Sequence, residues 1–326
     1  MTPMKRTLIT LTGAGWLLIA AGAPAQQPTT ATPSTNTSSS AQQALYERCV
    51  GFGRKVEIAP WKQQAVSPVT NPIFFEDPHV RTEVRPIYMY HVIDDDFLVG
   101  GGDVNVGAVQ ARWALTERLA IIATKDGYVD IDFDDAPALS DSGWVDVSAG
   151  VKYAIIDSDK HQFILTPGVK YEIPVGNTGV FQGNGDGEFD IFVSTAKSWN
   201  CLGLENLRTL GSVGLRLPID MDEETAQAHY SLQMDYRLCR YFIPFAAINA
   251  FTVLSEGDGL PLGAEGFDLI NFGASDAEGK TQPAAGVGFR SQVLEHVEAG
   301  FAYEHAVGSP RGLYEERFTL DAILHF

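Results

Sequence analysis

Apolar and polar residues alternate with a period of two along most of the chain beyond about position 80. The clearest case is the segment AQAHYSLQMDYRL, residues 226–238, in which Ala228 to Leu238 supply apolar side chains at every second position and polar residues lie between them. The last segment, 314–326, follows the same pattern and ends on Phe326. Strands of a membrane barrel turn alternate side chains to lipid and to the lumen, so this pattern predicts β-strands of that kind.

Applied to the whole chain, the alternation predicts an all-β fold, a closed antiparallel up-and-down transmembrane β-barrel of about twelve strands, an even number as in single-chain bacterial barrels. The predicted strands are Arg81–Val92, Asp103–Leu115, Leu119–Asp130, Trp144–Ile156, His161–Ile173, Glu188–Trp199, Glu205–Pro218, Ala226–Leu238, Tyr241–Leu254, Pro283–Leu294, His296–Val307 and Tyr314–Phe326.

The links between the predicted strands alternate in length. Every link that follows an even-numbered strand is short, and every link that follows an odd-numbered strand is longer. Outer-membrane barrels place short turns on the periplasmic side and long loops outside the cell. A soluble all-β fold has no reason to sort its loops in this way, so the loop lengths favour a membrane barrel with both ends in the periplasm.

The residues before the barrel divide into three predicted parts. Two cations, an apolar run and the sequence Ala-Pro-Ala at positions 23–25 predict a cleaved secretory signal, and the run is shorter than the roughly 20 residues of a spanning helix. The next residues are rich in Thr, Ser, Pro and Gln, which predicts disorder. The predicted domains are a signal peptide at 1–25, a disordered leader at 26–43, a periplasmic N-terminal segment at 44–80 and the barrel at 81–326. The segment at 44–80 either plugs the periplasmic mouth or packs on its rim.

Composition narrows the chemistry. A formal net charge of −18 argues against a nucleic-acid surface, which needs clustered Lys and Arg. The long links are acidic and could bind a divalent cation, but solvated loop charge is the commoner case, so neither a metal nor a cofactor is predicted.

Cys49, Cys201 and Cys239 are too scattered for a zinc site. Since Cys201 and Cys239 fall in neighbouring short turns, a disulfide between them is a hypothesis.

The cleavable signal, the twelve-strand alternation and the terminal Phe326 resemble those of Gram-negative outer-membrane β-barrels. The resemblance implies that the final aromatic residue is a signature for membrane insertion by the barrel-assembly machinery. It also implies a location in the outer membrane, with lipid and lipopolysaccharide as partners. More loosely, the chain is similar to outer-membrane transporters associated with the degradation of phenol and other aromatic compounds, although no residue of that family can be carried over.

The inward face of the predicted strands collects charges of both signs. These form either a polar pathway that orients a solute or a salt-bridged filling. The predicted lumen-lining residues are Arg85, Lys152, Lys170, Glu172, Arg208, Arg216, His229, Asp235, Arg290, Glu298, Arg317 and Asp321. The longest link, 255–282, carries Phe267, Leu269, Ile270 and Phe272. It either folds into the mouth as a constriction or forms an extra external hairpin, and the hairpin is slightly favoured.

These features predict a passive channel or facilitator for an unknown small solute. The alternative is a structural or adhesive barrel that does not conduct, and a lipid-active enzyme is a third class. The sequence contains no G-x-S-x-G elbow and no H-E-x-x-H motif, and no serine pairs obviously with His229 or His325. We therefore expect the protein not to be an enzyme.

Overall fold

The structure is a computed structural model that describes residues 60–97, 100–200 and 206–326. The predicted signal peptide, the leader and the first part of the N-terminal segment lie outside the described residues, as do Cys49 and Cys201. Cys239 lies at the surface. The hypothesis of a disulfide between Cys201 and Cys239 therefore stays a prediction.

Twelve antiparallel strands form the wall, as the alternation predicts. Their bounds are β1 Glu83–Ile93, β2 Gly102–Ala114, β3 Leu119–Lys125 continued by Tyr128–Phe133, β4 Asp141–Trp144 continued by Val147–Tyr153 and Ile156–Ser158, β5 Phe163–Ile173, β6 Glu188–Ser198, β7 Leu207–Pro218, β8 Ala226–Tyr236, β9 Ile243–Ser255, β10 Thr281–Leu294, β11 Val297–Ala306 and β12 Glu316–His325. A helical turn, α1, spans Pro60–Gln63, and a 3-10 turn spans Thr178–Val180.

The first strand closes the barrel. Tyr88 of β1 lies opposite Gly107 of β2 on one side and opposite Leu320 of β12 on the other. The other strands pair with their neighbours in sequence, so the predicted closed up-and-down topology is confirmed. The backbone N–H of Phe326 donates to the carbonyl of Thr82 at 3.0 Å, beside this seam. The role of Phe326 as an insertion signature stays a prediction.

Strand β3 is interrupted and extends further than the sequence predicts. It was expected to end at Asp130 but reaches Phe133, because its second part keeps the alternation and pairs with both β2 and β4. The break falls at Gly127, which has a φ of +141°. A Cβ atom there would lie 2.5 Å from the carbonyl oxygen of Gly107, so only glycine fits this close approach.

The outer face of the wall is apolar. Outward side chains on neighbouring strands are more than half exposed; they include Val213, Leu232, Ile248, Val287 and Leu320. A closed wall leaves no unpaired strand edge, and lipid can cover its apolar outer face. Within residues 60–97, 100–200 and 206–326, no helix is long and apolar enough to cross a membrane.

Candidate functional site

A chain segment fills the interior of the barrel. Residues 65–80, which precede β1 and are called here the plug segment, are all buried. Cationic wall side chains hold its backbone carbonyls. Arg290 donates to the carbonyl of Ser67 at 2.8 Å, and Lys170 donates to that of Ile73 at 2.7 Å. Residues 65–80 of the predicted N-terminal segment therefore lie within the barrel, held largely by polar contacts.

Further polar contacts follow the plug segment along its length. Gln110 donates to the carbonyl of Pro72 at 2.7 Å, and Thr166 donates to that of Pro78 at 2.7 Å. The side-chain amide of Asn71 donates to the hydroxyl of Ser231 at 3.0 Å. An irregular segment cannot satisfy its own backbone groups, so the wall must supply partners for those that are buried. The wall does so from strands on several sides of the barrel.

One carboxylate of the plug segment binds two cations of the wall. Arg112 of β2 binds both oxygens of Glu76, with Nε to Oε1 at 2.8 Å and Nη2 to Oε2 at 2.7 Å. Lys152 of β4 donates to Oε1 at 2.7 Å. Burial raises the pKa of Glu76, but the charges of Arg112 and Lys152 outweigh it and lower this pKa to about 2. Glu76 is therefore a buried, ionised carboxylate bound by two cations.

The residue before Glu76 occupies an apolar pocket. The Phe75 side chain is fully buried in an apolar cluster that includes Ala114, Ala120 and Phe192. Phe74 turns to another side, where its ring packs against Phe251 with the ring centroids 5.7 Å apart. Adjacent residues of the plug segment thus fill separate apolar spaces within the barrel.

All twelve predicted lumen-lining residues are buried. Asp321 binds two of them, since its carboxylate accepts from Arg85 Nε at 2.7 Å and from Arg290 Nη2 at 2.8 Å. Glu298 lies 4.0 Å from Arg290 Nε. Arg208 pairs with Asp235 across adjacent strands at 2.5 Å. The structure thus places six of these residues in ion pairs with one another.

The other predicted lumen-lining residues pair with groups outside that prediction. The remaining pairs are Lys152 with Glu76, Lys170 and His229 with Asp190, Glu172 with Lys125, Arg216 with Glu188, and Arg317 with Glu304 and Asp268. Among these partners, Asp190 and Glu304 share the inward face of the sequence pattern. Glu76 and Asp268 lie in irregular segments, for which alternation provides no signal.

The longest loop folds inward. Phe267, Leu269, Ile270 and Phe272 are all buried, so the external hairpin that the sequence slightly favoured is wrong. The Phe267 ring stacks on that of Tyr314 with centroids 4.2 Å apart. The carboxylate of Glu265 accepts from the backbone N–H groups of Phe272 at 2.7 Å and Ala274 at 2.8 Å. The carboxylate thus supplies acceptors for backbone N–H groups that have no strand partner in an inward-folded loop.

The loop and the plug segment belong to one apolar cluster. It runs from Ile73 and Phe74 through Phe251 of the wall to Phe267 of the loop, and the last two ring centroids lie 6.1 Å apart. A cavity of about 550 Å³ lies among the links that follow β1, β9 and β11, and its mixed lining includes Asp94, Phe97, Leu262 and Arg311. The plug segment and the inward-folded loop therefore share the interior of the barrel.

A buried carboxyl group in one of the longer links predicts a pH effect. Glu224 lies in the link between β7 and β8 and is 8% exposed. Burial raises its pKa to about 8; the nearby Glu188 adds to this rise and Arg216 opposes it. When the pKa of a carboxyl group is higher in the folded state than in the unfolded state, the protein loses stability as the pH rises from the unfolded-state pKa to the folded-state pKa. Glu224 therefore lowers the stability of the barrel progressively between about pH 4.5 and pH 8.

We expect Glu224→Gln to raise the free energy of unfolding by about 1–3 kcal/mol more at pH 8 than at pH 5, since glutamine needs no proton to stay neutral. Urea unfolding of the folded protein in detergent micelles, followed by tryptophan fluorescence, measures both values. Asp222→Asn, an exposed change in the same link, is the control. An equal effect of Glu224→Gln at the two pH values would contradict the prediction.

Comparison with solved structures finds the same fold. An outer membrane channel from Pseudomonas putida F1 is 15% identical, with a TM-score of 0.54 over 80% of this chain and 100% of that chain. The KdgM porin is 8% identical, with a TM-score of 0.42 over 75% of this chain and 99% of that chain. Outer membrane phospholipase A from Escherichia coli is 10% identical, with a TM-score of 0.37 over 80% and 99% of the two chains.

No family model and no curated protein sequence matches the chain. The first similarity shows the fold, and the other two are too weak to carry an argument. The closed wall of twelve strands and its apolar outer face satisfy the physical requirements for a spanning barrel. The chain therefore has the fold of outer-membrane β-barrels.

Proposed function

We propose that this barrel is a gated channel for small solutes, and that the observed state is the closed one. The observation that carries the proposal is the filling of the lumen by a separate segment, residues 65–80. Eight-stranded barrels can be filled by their own wall side chains, whereas larger barrels enclose more space. A segment that fills such a space can leave it without any change in the hydrogen bonding between the strands.

The contacts of the plug segment support movement. Cations donate to its carbonyls, and these hydrogen bonds can be exchanged for bonds to water when the segment leaves. Several of the same cations retain a carboxylate of the wall: Lys170 has Asp190, and Arg290 has Asp321. The wall would therefore remain largely charge-paired around an open, polar lumen. A structural or adhesive barrel that does not conduct is the alternative.

A disulfide between the plug segment and the wall tests the proposal. A Cβ atom added at Gly286 of β10 would lie 2.7 Å from Cγ2 of Thr70, so cysteines at these two positions lie within bonding reach. We expect Thr70→Cys with Gly286→Cys, in a chain whose native cysteines are replaced by serine, to conduct in planar bilayers when reduced. Oxidation should reduce the open probability about tenfold or more, because it fixes the plug segment to the wall.

Single-channel recording with and without reductant measures this change, and mass spectrometry confirms the bond. Thr70→Cys alone, which cannot form it, is the matched control. Equal currents from the reduced and oxidised forms would show that the plug segment does not gate. If reduced protein, shown to be folded by its heat-modifiable gel mobility, carries no current at any voltage, the alternative without conduction is correct.

A further inference from the structure

We propose that Phe75 and Glu76 occupy a binding site for a solute that joins a carboxylate to an apolar group of about the size of an aromatic ring. This inference rests on the proposed function, because the site becomes free only when the plug segment leaves. In the closed state, the plug segment would then imitate the solute: the Glu76 carboxylate lies between Arg112 and Lys152, and the Phe75 ring fills the neighbouring apolar pocket.

The charges around Glu76 favour a carboxylate as the replacement. The side chains of Arg112, Lys152 and Glu76 are between 0% and 2% exposed. When Glu76 leaves, Glu83 stays beside Arg112, with Oε1 at 3.3 Å from Nη1. Two cations then face one anion on the inner face of the wall, and both have lost the carboxylate that they bind in the closed state. A carboxylate from a solute would restore the balance.

The geometry also suits a carboxylate. Arg112 presents Nε and Nη2 to the two Glu76 oxygens at 2.8 and 2.7 Å, the fork arrangement that matches a planar carboxylate. Lys152 completes the site from the side of Oε1 at 2.7 Å. Both cations belong to wall strands, so this arrangement does not depend on the plug segment for its position.

The apolar part of the site is continuous with the cations. Arg112 pairs with Ile122 across β2 and β3, and Lys152 pairs with Ala120 across β3 and β4. Both Ile122 and Ala120 belong to the cluster that buries the Phe75 ring. Two further members, Ala114 and Ala154, are small and leave room for a ring beside the larger Phe192. The site therefore specifies a carboxylate on one side and an apolar ring on the other.

Other wall cations pair with carboxylates that also belong to the wall: Lys170 lies 2.9 Å from Asp190, and Arg290 pairs with Asp321. Lys152, in contrast, pairs with Glu76 of the plug segment. Departure of the plug segment thus exposes an unbalanced positive charge at Arg112 and Lys152, and the solute is expected to bind there.

Benzoate and benzamide test the inference, since they share the ring and differ in charge. The full chain with Glu76→Gln keeps the volume of the plug segment but lacks its carboxylate, and we expect its open probability to rise severalfold over the unchanged protein. Benzoate should block this current at a concentration about tenfold lower than benzamide does, as one ion pair would provide. Calorimetric titration of both probes into the same folded protein in micelles should show the same order.

Adding Lys152→Met to Glu76→Gln should raise the half-blocking concentration of benzoate about tenfold and leave that of benzamide unchanged. Lys125→Met with Glu76→Gln is the matched control, because Lys125 is a buried wall lysine that pairs with Glu172 and should not alter the preference. A preference for benzoate that survives Lys152→Met would place the site elsewhere and overturn the inference.

The outcomes separate the inference from the proposed function. Current through Glu76→Gln with equal block by benzoate and benzamide would overturn the carboxylate site and leave the gated channel intact. Absence of current from the folded variant would contradict the channel. Calorimetry would then test the binding site without the need for a current. Failure of benzoate to bind in preference to benzamide would overturn the inference.

Discussion

Asp321→Ala is expected to lower the free energy of unfolding of the barrel by about 3–5 kcal/mol, the usual effect of removing one partner from a buried ion pair. Its carboxylate binds the guanidinium groups of both Arg85 and Arg290, and all three side chains are at most 1% exposed. After the change, Arg85 and Arg290 would retain carbonyl groups of the plug segment as hydrogen-bond acceptors. Arg290 would also retain Glu298, which lies 4.0 Å from its Nε. These contacts do not replace the two charge-assisted hydrogen-bonded pairs that Asp321 forms with the arginines.

Urea unfolding in detergent micelles, followed by tryptophan fluorescence and by gel mobility, measures this loss. Asp258→Ala, an exposed change in a loop, is the control and should stay within about 0.5 kcal/mol. Adding Arg290→Met to Asp321→Ala should recover part of the loss, because one of the two uncompensated cations is removed. A loss below about 1 kcal/mol for Asp321→Ala would show that the plug carbonyls alone satisfy the two arginines.

Leu232→Arg is expected to lower the free energy of unfolding in lipid bilayers by about 2–4 kcal/mol, the effect of a cation on the lipid face near the middle of a barrel wall. Leu232 lies within the outward row of β8 that also contains Tyr230, Met234 and Tyr236, and it is 57% exposed. Lipid would cover this side chain, so the guanidinium group would have to lose its hydration or reach for the interface.

Reversible unfolding in liposomes, or the fraction of chain that inserts and acquires heat-modifiable mobility, measures the effect. Met221→Arg makes the same chemical change at a residue that is 49% exposed in the link between β7 and β8, and it should have little effect. Comparable losses from the two variants would contradict the assignment of the outer face to lipid.

The twelve-strand wall could be predicted from the sequence because each strand separates two environments. A one-residue shift would move every side chain of a strand to the other face. Alternation therefore predicts both that a strand is present and which of its side chains point inward. Gln233 and Asp235 are buried while Leu232 and Met234 are exposed, as the pattern of β8 requires. Loop lengths also predict which end of the barrel faces the periplasm, and this orientation stays a prediction.

Pairing inside the barrel could not be predicted in the same way. Alternation places Arg112 and Lys152 on the inward face, but their carboxylate partner, Glu76, comes from a segment without a regular period. Asp268, which binds Arg317 at 2.5 Å, likewise comes from a loop. Irregular segments satisfy their polar groups through distant residues, and sequence spacing does not record those contacts.

The sequence by itself determined the class of fold, the number of strands and the inward or outward facing of their side chains, because these follow from local periodicity and from the need to present different faces to lipid and to the lumen. Only the tertiary structure decided that residues 65–80 and the loop around Phe267 fill the interior, and that Glu76 lies between Arg112 and Lys152. Those arrangements depend on packing and charge pairing between residues far apart in the chain.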